Sequence, residues 1–330
     1  AYLYEQHRLQ WQDAGLASWQ QDVESRRQQQ GAIAVAKFHA ATGSGFMPYV
    51  DFDVSLRHDR VQDERSSETA ATTPGRTWSA TPLNFGLQGE GRKDDVMLSW
   101  HLNYGHNIRF PTLMQQMSQP VTSSTPYVRK EMAPEEVNSM EWQVDVSRHF
   151  STPSNVMGWQ IQAIYFKHYY KNKMRPWYAV GIPIVYYDYV LEANISGMEA
   201  SFGTFMFAKK LQVDGGLVRY SLSDRAAFPF KFDTKYFIDC NLDHAGWSAQ
   251  AHLYHEGDQL GTIRSGADEM TEVTLPGYSD LDLHVGKTLS AFGCKTLLRA
   301  SLFNALNQET RLLGLAMRDR RYYVTVAVQY

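Results

Sequence analysis

The chain has 330 residues, 43% of them hydrophobic and 13% aromatic, with a formal net charge of -3. Its mean hydropathy of -0.42, and the lack of any run near the ~20 apolar residues that a spanning helix needs, exclude a bundle of membrane helices. A pI near 6.4 leaves no electrostatic footprint for nucleic acid, so no such partner is expected.

Residues 1–30 carry the weakest pattern. Ala1 to Gln12 fits a strand, and Asp13 to Gln30, dense in Gln, Arg and Glu, is expected to be a solvated loop or helix. From Gly31 the pattern settles, which divides the chain into a poorly defined segment, 1–30, and a β-rich unit, 31–330. Gly31–Ala41 is a weak strand followed by the turn Ala41-Thr-Gly-Ser-Gly45. Val50, Phe52, Val54 and Leu56 then alternate with Asp51, Asp53, Ser55 and Arg57. Side chains of a strand point to opposite faces in turn, so one face here is oily and the other polar.

Arg60 to Arg76 is expected as a polar loop, and Leu83, Phe85 and Leu87 resume the alternation. After a turn at Gly89–Asp94, Val96, Leu98, Trp100, Leu102 and Tyr104 oppose Met97, Ser99, His101, Asn103 and Gly105. A long connection, Asn107 to Val137, contains four prolines. Met140, Trp142, Val144 and Val146 alternate with Glu141, Gln143, Asp145 and Ser147. Beyond a turn at Phe150–Asn155, Trp159 to Phe166 form the next strand. Lys167 to Val180 is aromatic and basic, and runs into a strand through Tyr187, Ile195, Met198 and Phe202.

Lys209-Lys210 breaks to Leu211–Leu222, and the loop Ser223–Lys231 precedes Tyr236, Ile238, Cys240 and Leu242. Asp243-His-Ala-Gly246 is a tight turn into Trp247–Tyr254. A loop from His255 to Gly277 leads to Leu281, Leu283 and Val285, and a turn near Ser290 leads to Lys295–Leu306. The last segment, Arg321–Tyr330, puts Tyr322, Val324, Val326 and Val328 on one face.

This amounts to about fourteen strands whose connections alternate short and long, as in membrane barrels with short periplasmic turns and long external loops. A soluble sandwich has no reason to sort its loops in this way. The expected fold is an all-β, transmembrane antiparallel β-barrel, oily outside and polar in the lumen. Cys240 and Cys294 are far apart on apolar faces and are expected to be unpaired packing residues. No basic, apolar leader stands at the start, so the chain is expected to begin after processing or within a longer protein.

Enzyme and cofactor motifs are missing: there is no H-E-x-x-H, G-x-S-x-G, P-loop or G-x-G-x-x-G. Asp51-Phe-Asp53, Asp239-Cys-Asn241 and Asp280-Leu-Asp282-Leu-His284 have metal-ligand spacing. The same i, i+2 spacing belongs to one polar face of a strand, and no metal or cofactor is expected. The rings Tyr165, Phe166, Tyr169, Tyr170, Trp177, Tyr178, Tyr186 and Tyr187 fit an interfacial girdle. With Lys167, Lys171, Lys173 and Arg175 between them, they also fit a vestibule for an anionic, planar or metal-chelating ligand. Candidate loop and rim contacts are Arg109, Tyr127, Arg129, Arg175, Trp177 and Tyr178. Candidate lumen residues are His101, Asn103, Glu141, Gln143 and Glu199.

Several segments, in order, carry a family resemblance. Val54-Ser-Leu-Arg-His-Asp59 resembles a "GLRYD" strand, Tyr104-Gly-His-Asn-Ile-Arg-Phe-Pro-Thr-Leu113 a "YGxGFRAPTL" segment, and Ala133-Pro-Glu135 with Glu141 an "LKPE…YE" element. Asn194-Ile-Ser-Gly-Met-Glu-Ala200 is similar to "ARIRGVELEA", Leu275-Pro-Gly-Tyr-Ser-Asp-Leu-Asp282 to "LPGYTLVDL", and Ser301-Leu-Phe-Asn-Ala-Leu-Asn307 to "GVENLFNK". Tyr330 fits a closing aromatic. Together they resemble the C-terminal barrel portion of TonB-dependent outer-membrane receptors. The resemblance implies residence in the cell outer membrane, contact with its lipid, and ligand-gated, TonB-energised uptake of a siderophore, cobalamin, glycan or similar nutrient. Family barrels have 22 strands and an N-terminal plug. A plug domain and upstream strands are therefore expected as partners, with TonB acting through the plug. No haem-receptor "NPNL" element precedes Pro134. Two other readings stay open: a free-standing passive porin, and a soluble carbohydrate-binding or hydrolytic β protein.

Overall fold

A computed structural model describes residues 2–11, 23–67, 76–117, 132–152, 155–179, 185–264, 270–291, 293–309, 311–312, 315–316 and 319–329. The side chains of 2–11, 23–25, 65–67, 117, 177–179, 185–186, 262, 264, 270, 291, 311–312 and 315–316 lie outside this description. The strands follow in chain order as β1 (Tyr2–Trp11), β2 (Val23–Ala41), β3 (Tyr49–Ser67), β4 (Arg76–Ala80), β5 (Leu83–Lys93) and β6 (Val96–Arg109). A short helix, α1 (Leu113–Met117), precedes β7 (Glu135–Thr152), β8 (Asn155–Ala179), β9 (Val185–Met206) and β10 (Leu211–Leu222). Then come β11 (Lys231–Phe232), β12 (Thr234–His244), β13 (Trp247–Glu256), β14 (Gln259–Arg264) and β15 (Met270–Leu275). The last are β16 (Tyr278–Ala291), β17 (Cys294–Phe303), β18 (Arg311–Leu312), β19 (Leu315–Ala316) and β20 (Arg321–Gln329).

Eighteen of these form one sheet. Fourteen make the wall, each antiparallel to its chain neighbour, while β4, β11, β14 and β15 ride on its loop end. β2 and β3, β5 and β6, β7 and β8, β9 and β10, β12 and β13, and β16 and β17 follow each other after at most seven residues, and these strand ends share one end of the wall. The tight turns have local causes. Ala245 (φ 50°) and Gly246 (φ 77°) are both left-handed, as a two-residue type I′ hairpin turn requires.

The faces separate as the alternation demands. Trp142 lies opposite Tyr165, Tyr165 opposite Met198, Ile238 opposite Leu253, and Leu298 opposite Val326. All of these but Leu253 are exposed, Trp142 by 52% and Val326 by 61%. Apolar area left open at this scale in a contiguous band is what lipid covers. Trp100 lies over Gly89, whose added Cβ would meet its indole at 2.7 Å, so the ring fills the gap left by the glycine. The buried apolar residues, among them Val61, Met174, Ile195 and Tyr278, lie toward the loop end rather than in a dry centre.

The strands outrun the expected boundaries. β2 begins at Val23, inside the stretch expected as loop or helix, and β3 and β8 continue to Ser67 and Ala179. Gln28, Gln29 and Gln30 pair across to Gln62, Val61 and Arg60. Burial still alternates here, but the covered face carries charged Arg27, Asp59 and Asp63 beside Val61, so no apolar alternation marks it. The 255–277 connection is itself a hairpin of β14 and β15. Among the described residues β1 pairs only with β2 and β20 only with β17, so no described pairing joins the two end strands. Cys240 and Cys294 are free.

Candidate functional site

The polar face of the wall is built from direct cross-strand partners. His101 lies opposite Gln143 and Asn103 opposite Glu141; Ile164 separates Gln143 from Glu199 in the same row. Near the short turns His101 lines a cavity of about 550 Å³ with His39, Phe46, Tyr49, Asp51 and Gln88. There Asp51 accepts from Gln88 Nε2 (3.4 Å) and pairs with His39 Nδ1 (2.5 Å).

At the loop end the same face carries aromatic rings and lysines. Glu199 accepts a hydrogen bond from Tyr220 (2.9 Å), and Tyr220 stacks on Phe232 with centroids 5.5 Å apart. Lys231 Nζ sits 4.2 Å from the Tyr220 ring centre and 5.1 Å from that of Phe232, within cation–π range. Lys235 lies over Phe232 and Tyr254, and Lys173 over Tyr170 and Phe228.

Two of these three cations are neutralised within the wall. Lys235 Nζ is 2.9 Å from Glu256, which also accepts from Tyr278. Lys173 Nζ is 3.0 Å from Glu135, which also accepts the Met174 N–H. Among the described residues no carboxylate comes within 4.0 Å of Lys231. Burial against the rings pushes its ammonium below the usual lysine range, opposed by the more distant Glu199 and Glu256.

The loop that presents Lys231 is rigidly tied. Asp224 Oδ1 caps a 3₁₀ turn at Arg225–Ala227 by accepting from Ala226 N. Phe230, at a left-handed φ of 56°, donates its N–H to Leu260 O at 2.8 Å. Its ring presses on Gly261, where an added Cβ would stand 2.1 Å from Phe230 Cζ. Gly261→Val is therefore expected to displace Phe230 and the adjoining Lys231 with the barrel still folded. Raised backbone hydrogen exchange at 230–232, beside unchanged heat-modifiability on a gel, checks it.

A second loop is anchored in the mouth of the polar face. Arg27 and Asp63, 7% and 6% exposed, form a bidentate pair with both bonds at 2.6 Å. Arg27 also donates to Pro111 O (2.5 Å), Gln116 Nε2 donates to Asp63 (2.7 Å), and Phe110 stacks near Trp78. Thr112 and Gln115 exchange side-chain and backbone bonds as a capping box for α1. The helix touches both β2 and β9, strands far apart in the wall.

The sequence-predicted residues distribute unevenly. Tyr127 and Arg129 lie outside the described residues, as do the side chains of Trp177 and Tyr178. Arg109 is exposed at the end of β6, opposite Glu135. Arg175 is held by Asp188 at 2.7 and 2.9 Å. The aromatic and basic stretch divides by parity: Tyr165 and Tyr169 are exposed on the apolar face with Lys167, while Phe166, His168 and Tyr170 join the polar face. Asn172, at φ 52°, interrupts the alternation, and Lys173 reaches the side that Tyr170 occupies. The residues that fit a girdle and those that fit a vestibule thus lie on opposite faces of one strand. Lys231, Phe232 and Tyr220 escaped the sequence reading because their meeting depends on loop closure. Among the described residues no three His, Cys, Asp or Glu side chains gather to hold a metal ion.

A sheet with an oily outer band, a polar inner face and loops sorted by end is the wall of an outer-membrane-type β-barrel. No family model and no curated protein sequence matches the chain. Solved structures do. The copper transporter OprC aligns with a TM-score of 0.64 at 13% identity, over 92% of this chain and 48% of its own. The ferric-catecholate import receptor Fiu from E. coli K12 aligns at 0.59 and 12% identity, over 95% and 46%. The FrpB iron transporter from Neisseria meningitidis aligns at 0.55 and 12%, over 93% and 45%. The chain thus spans about half the length of the structures it matches. Its fold is that of the barrel of TonB-dependent outer-membrane receptors.

Proposed function

We propose that this chain forms the C-terminal part of the barrel of an outer-membrane importer, and that its upper lumen receives a small anionic nutrient. The observation that carries the reading is Lys231, a half-buried cation held on two rings with no ion-pair partner among the described residues. A desolvated cation of this kind gains most from an anionic group arriving with the ligand. The flanking rings Tyr220, Phe232, Tyr170 and Phe228 favour a ligand with planar or chelating groups, such as a ferric siderophore, over neutral cobalamin or a neutral glycan. Gating by a plug and energising through TonB belong to the same reading, supported by the fold and by the chain's half-length match to import receptors. His101, Asn103, Glu141, Gln143 and Glu199 would then face the plug or the passing solute.

Fluorescence titration of the purified chain with ferric catecholates, ferric citrate and sulfated glycans, against neutral cobalamin and neutral oligosaccharides, tests it. At least one anionic probe is expected to bind more tightly than every neutral one, and Lys231→Ala to weaken it roughly tenfold or more. An anion held there leaves as pH rises through the lowered lysine value, earlier than it would leave an exposed lysine. Equal binding of neutral probes, or an unaffected Lys231→Ala, would sink the assignment.

A further inference from the structure

The outer face of the wall bears two basic side chains that neither the apolar band nor the lumen site employs. Along β8 the outward residues run Ile161, Ala163, Tyr165, Lys167, Tyr169; along β10 they run Val213, Gly215, Leu217, Arg219, Ser221. In each strand the cation is the first charge beyond the apolar run, at the loop end of the band. The register makes them neighbours: Lys167 lies opposite Ser196 and Ser196 opposite Ser221, while Met198 lies opposite both Tyr165 and Arg219. With strands ~4.8 Å apart and ~3.4 Å per residue, the patch measures roughly 10 by 7 Å, the size of one lipid headgroup.

Its electrostatics are unbalanced. Lys171, the next lysine out, stands opposite Glu136 and Glu192. Lys167 and Arg219 have no carboxylate within 4.0 Å among the described residues; Lys167 Nζ lies 4.6 Å from the Tyr169 ring centre. Long basic side chains at the edge of a hydrocarbon band lift their charges to the headgroup layer, where phosphates are the available anions.

We propose that Lys167 and Arg219, with the hydroxyl of Ser196 between them and that of Ser221 beside Arg219, seat the phosphate of a lipid headgroup in the leaflet on the long-loop side. This rests on the barrel reading above, with that face against lipid, but not on any lumen ligand. The phosphate is bound as the ammonium and guanidinium counterion, and the neutral serines supply hydroxyl donors.

The full chain is placed in phosphatidylcholine nanodiscs doped with diphosphoryl lipid A or its dephosphorylated form, and retained lipid is counted by native mass spectrometry. The wild type is expected to enrich the diphosphoryl form about tenfold or more, at about fivefold per cation. Lys167→Gln with Arg219→Gln should bring the two forms to parity, and Lys167→Arg with Arg219→Lys should restore the preference. Lys287→Gln, on the outer face near the short turns, should leave it unchanged. Equal retention of both forms by the wild type overturns the proposal without any variant, as does enrichment abolished by millimolar inorganic phosphate, which would mark a free-anion site. Loss of lumen ligand binding with lipid enrichment intact would instead count against the function proposed above alone.

Discussion

Asp63→Ala is expected to release the 110–117 segment from the mouth of the barrel, raising its backbone hydrogen exchange by roughly 10²–10⁴-fold. Removing one partner of a buried ion pair leaves the other charge desolvated and unmatched, which costs about 3–5 kcal/mol. Here the abandoned group would be Arg27, whose guanidinium is enclosed by Asp63, Pro111 O and the Trp78 ring. Asp63 also holds Gln116, so the change removes that link directly and unseats the guanidinium that holds Pro111 O, leaving only the Phe110–Trp78 contact. The loss is local, because the ladder between β2 and β3 does not depend on those side chains, and exchange in β7 and β8 should stay at wild-type levels. Arg27→Met combined with Asp63→Leu should recover the stability lost in Asp63→Ala, since the pair is then replaced by apolar surface of similar volume, while 110–117 stays less protected without its two hydrogen-bonded links. Exchange at 110–117 that does not change in Asp63→Ala would show that Trp78 and Phe110 alone hold the loop.

Legibility followed the solvent on each face. Where one face is apolar and the other polar, as in Val50–Arg57 or Met140–Ser147, alternation exposes strand and face at once, and the structure keeps both segments as strands. Toward the long-loop end of β2 and β3 the covered face holds Arg27, Asp59 and Asp63 as well as Val61, so hydropathy no longer reports which face is buried. The Gln28–Gln30 stretch therefore reads as loop or helix although its backbone continues the ladder. The sites were harder still. Arg27 and Asp63 are 36 residues apart, and Arg27 and Pro111 are 84 apart. Lys231 meets Tyr220 only because Phe230 folds onto Gly261. Of the aromatic and basic stretch the composition was visible, but the division between faces required the register and the left-handed Asn172.

The two-faced character of the wall predicts a sharp contrast between adjacent residues on β9. Phe202 is exposed on the apolar face, between Ile161 of β8 and Gly215 of β10. Ser201, one residue earlier, faces the other way, between Gln162 and Gly216. Phe202→Arg would force a guanidinium into the hydrocarbon layer, at a cost of about 2–4 kcal/mol near the bilayer midplane. Ser201→Arg puts the same charge among polar groups, where Asp145 already accepts from Gln162 and can draw a new cation, and should cost well under ~1 kcal/mol. Reversible urea unfolding in lipid vesicles, followed by tryptophan emission, measures both. A barrel wall requires Phe202→Arg to be the damaging change. If Ser201→Arg were worse, the polar face would be the packed one, and the sheet would have to be turned inside out.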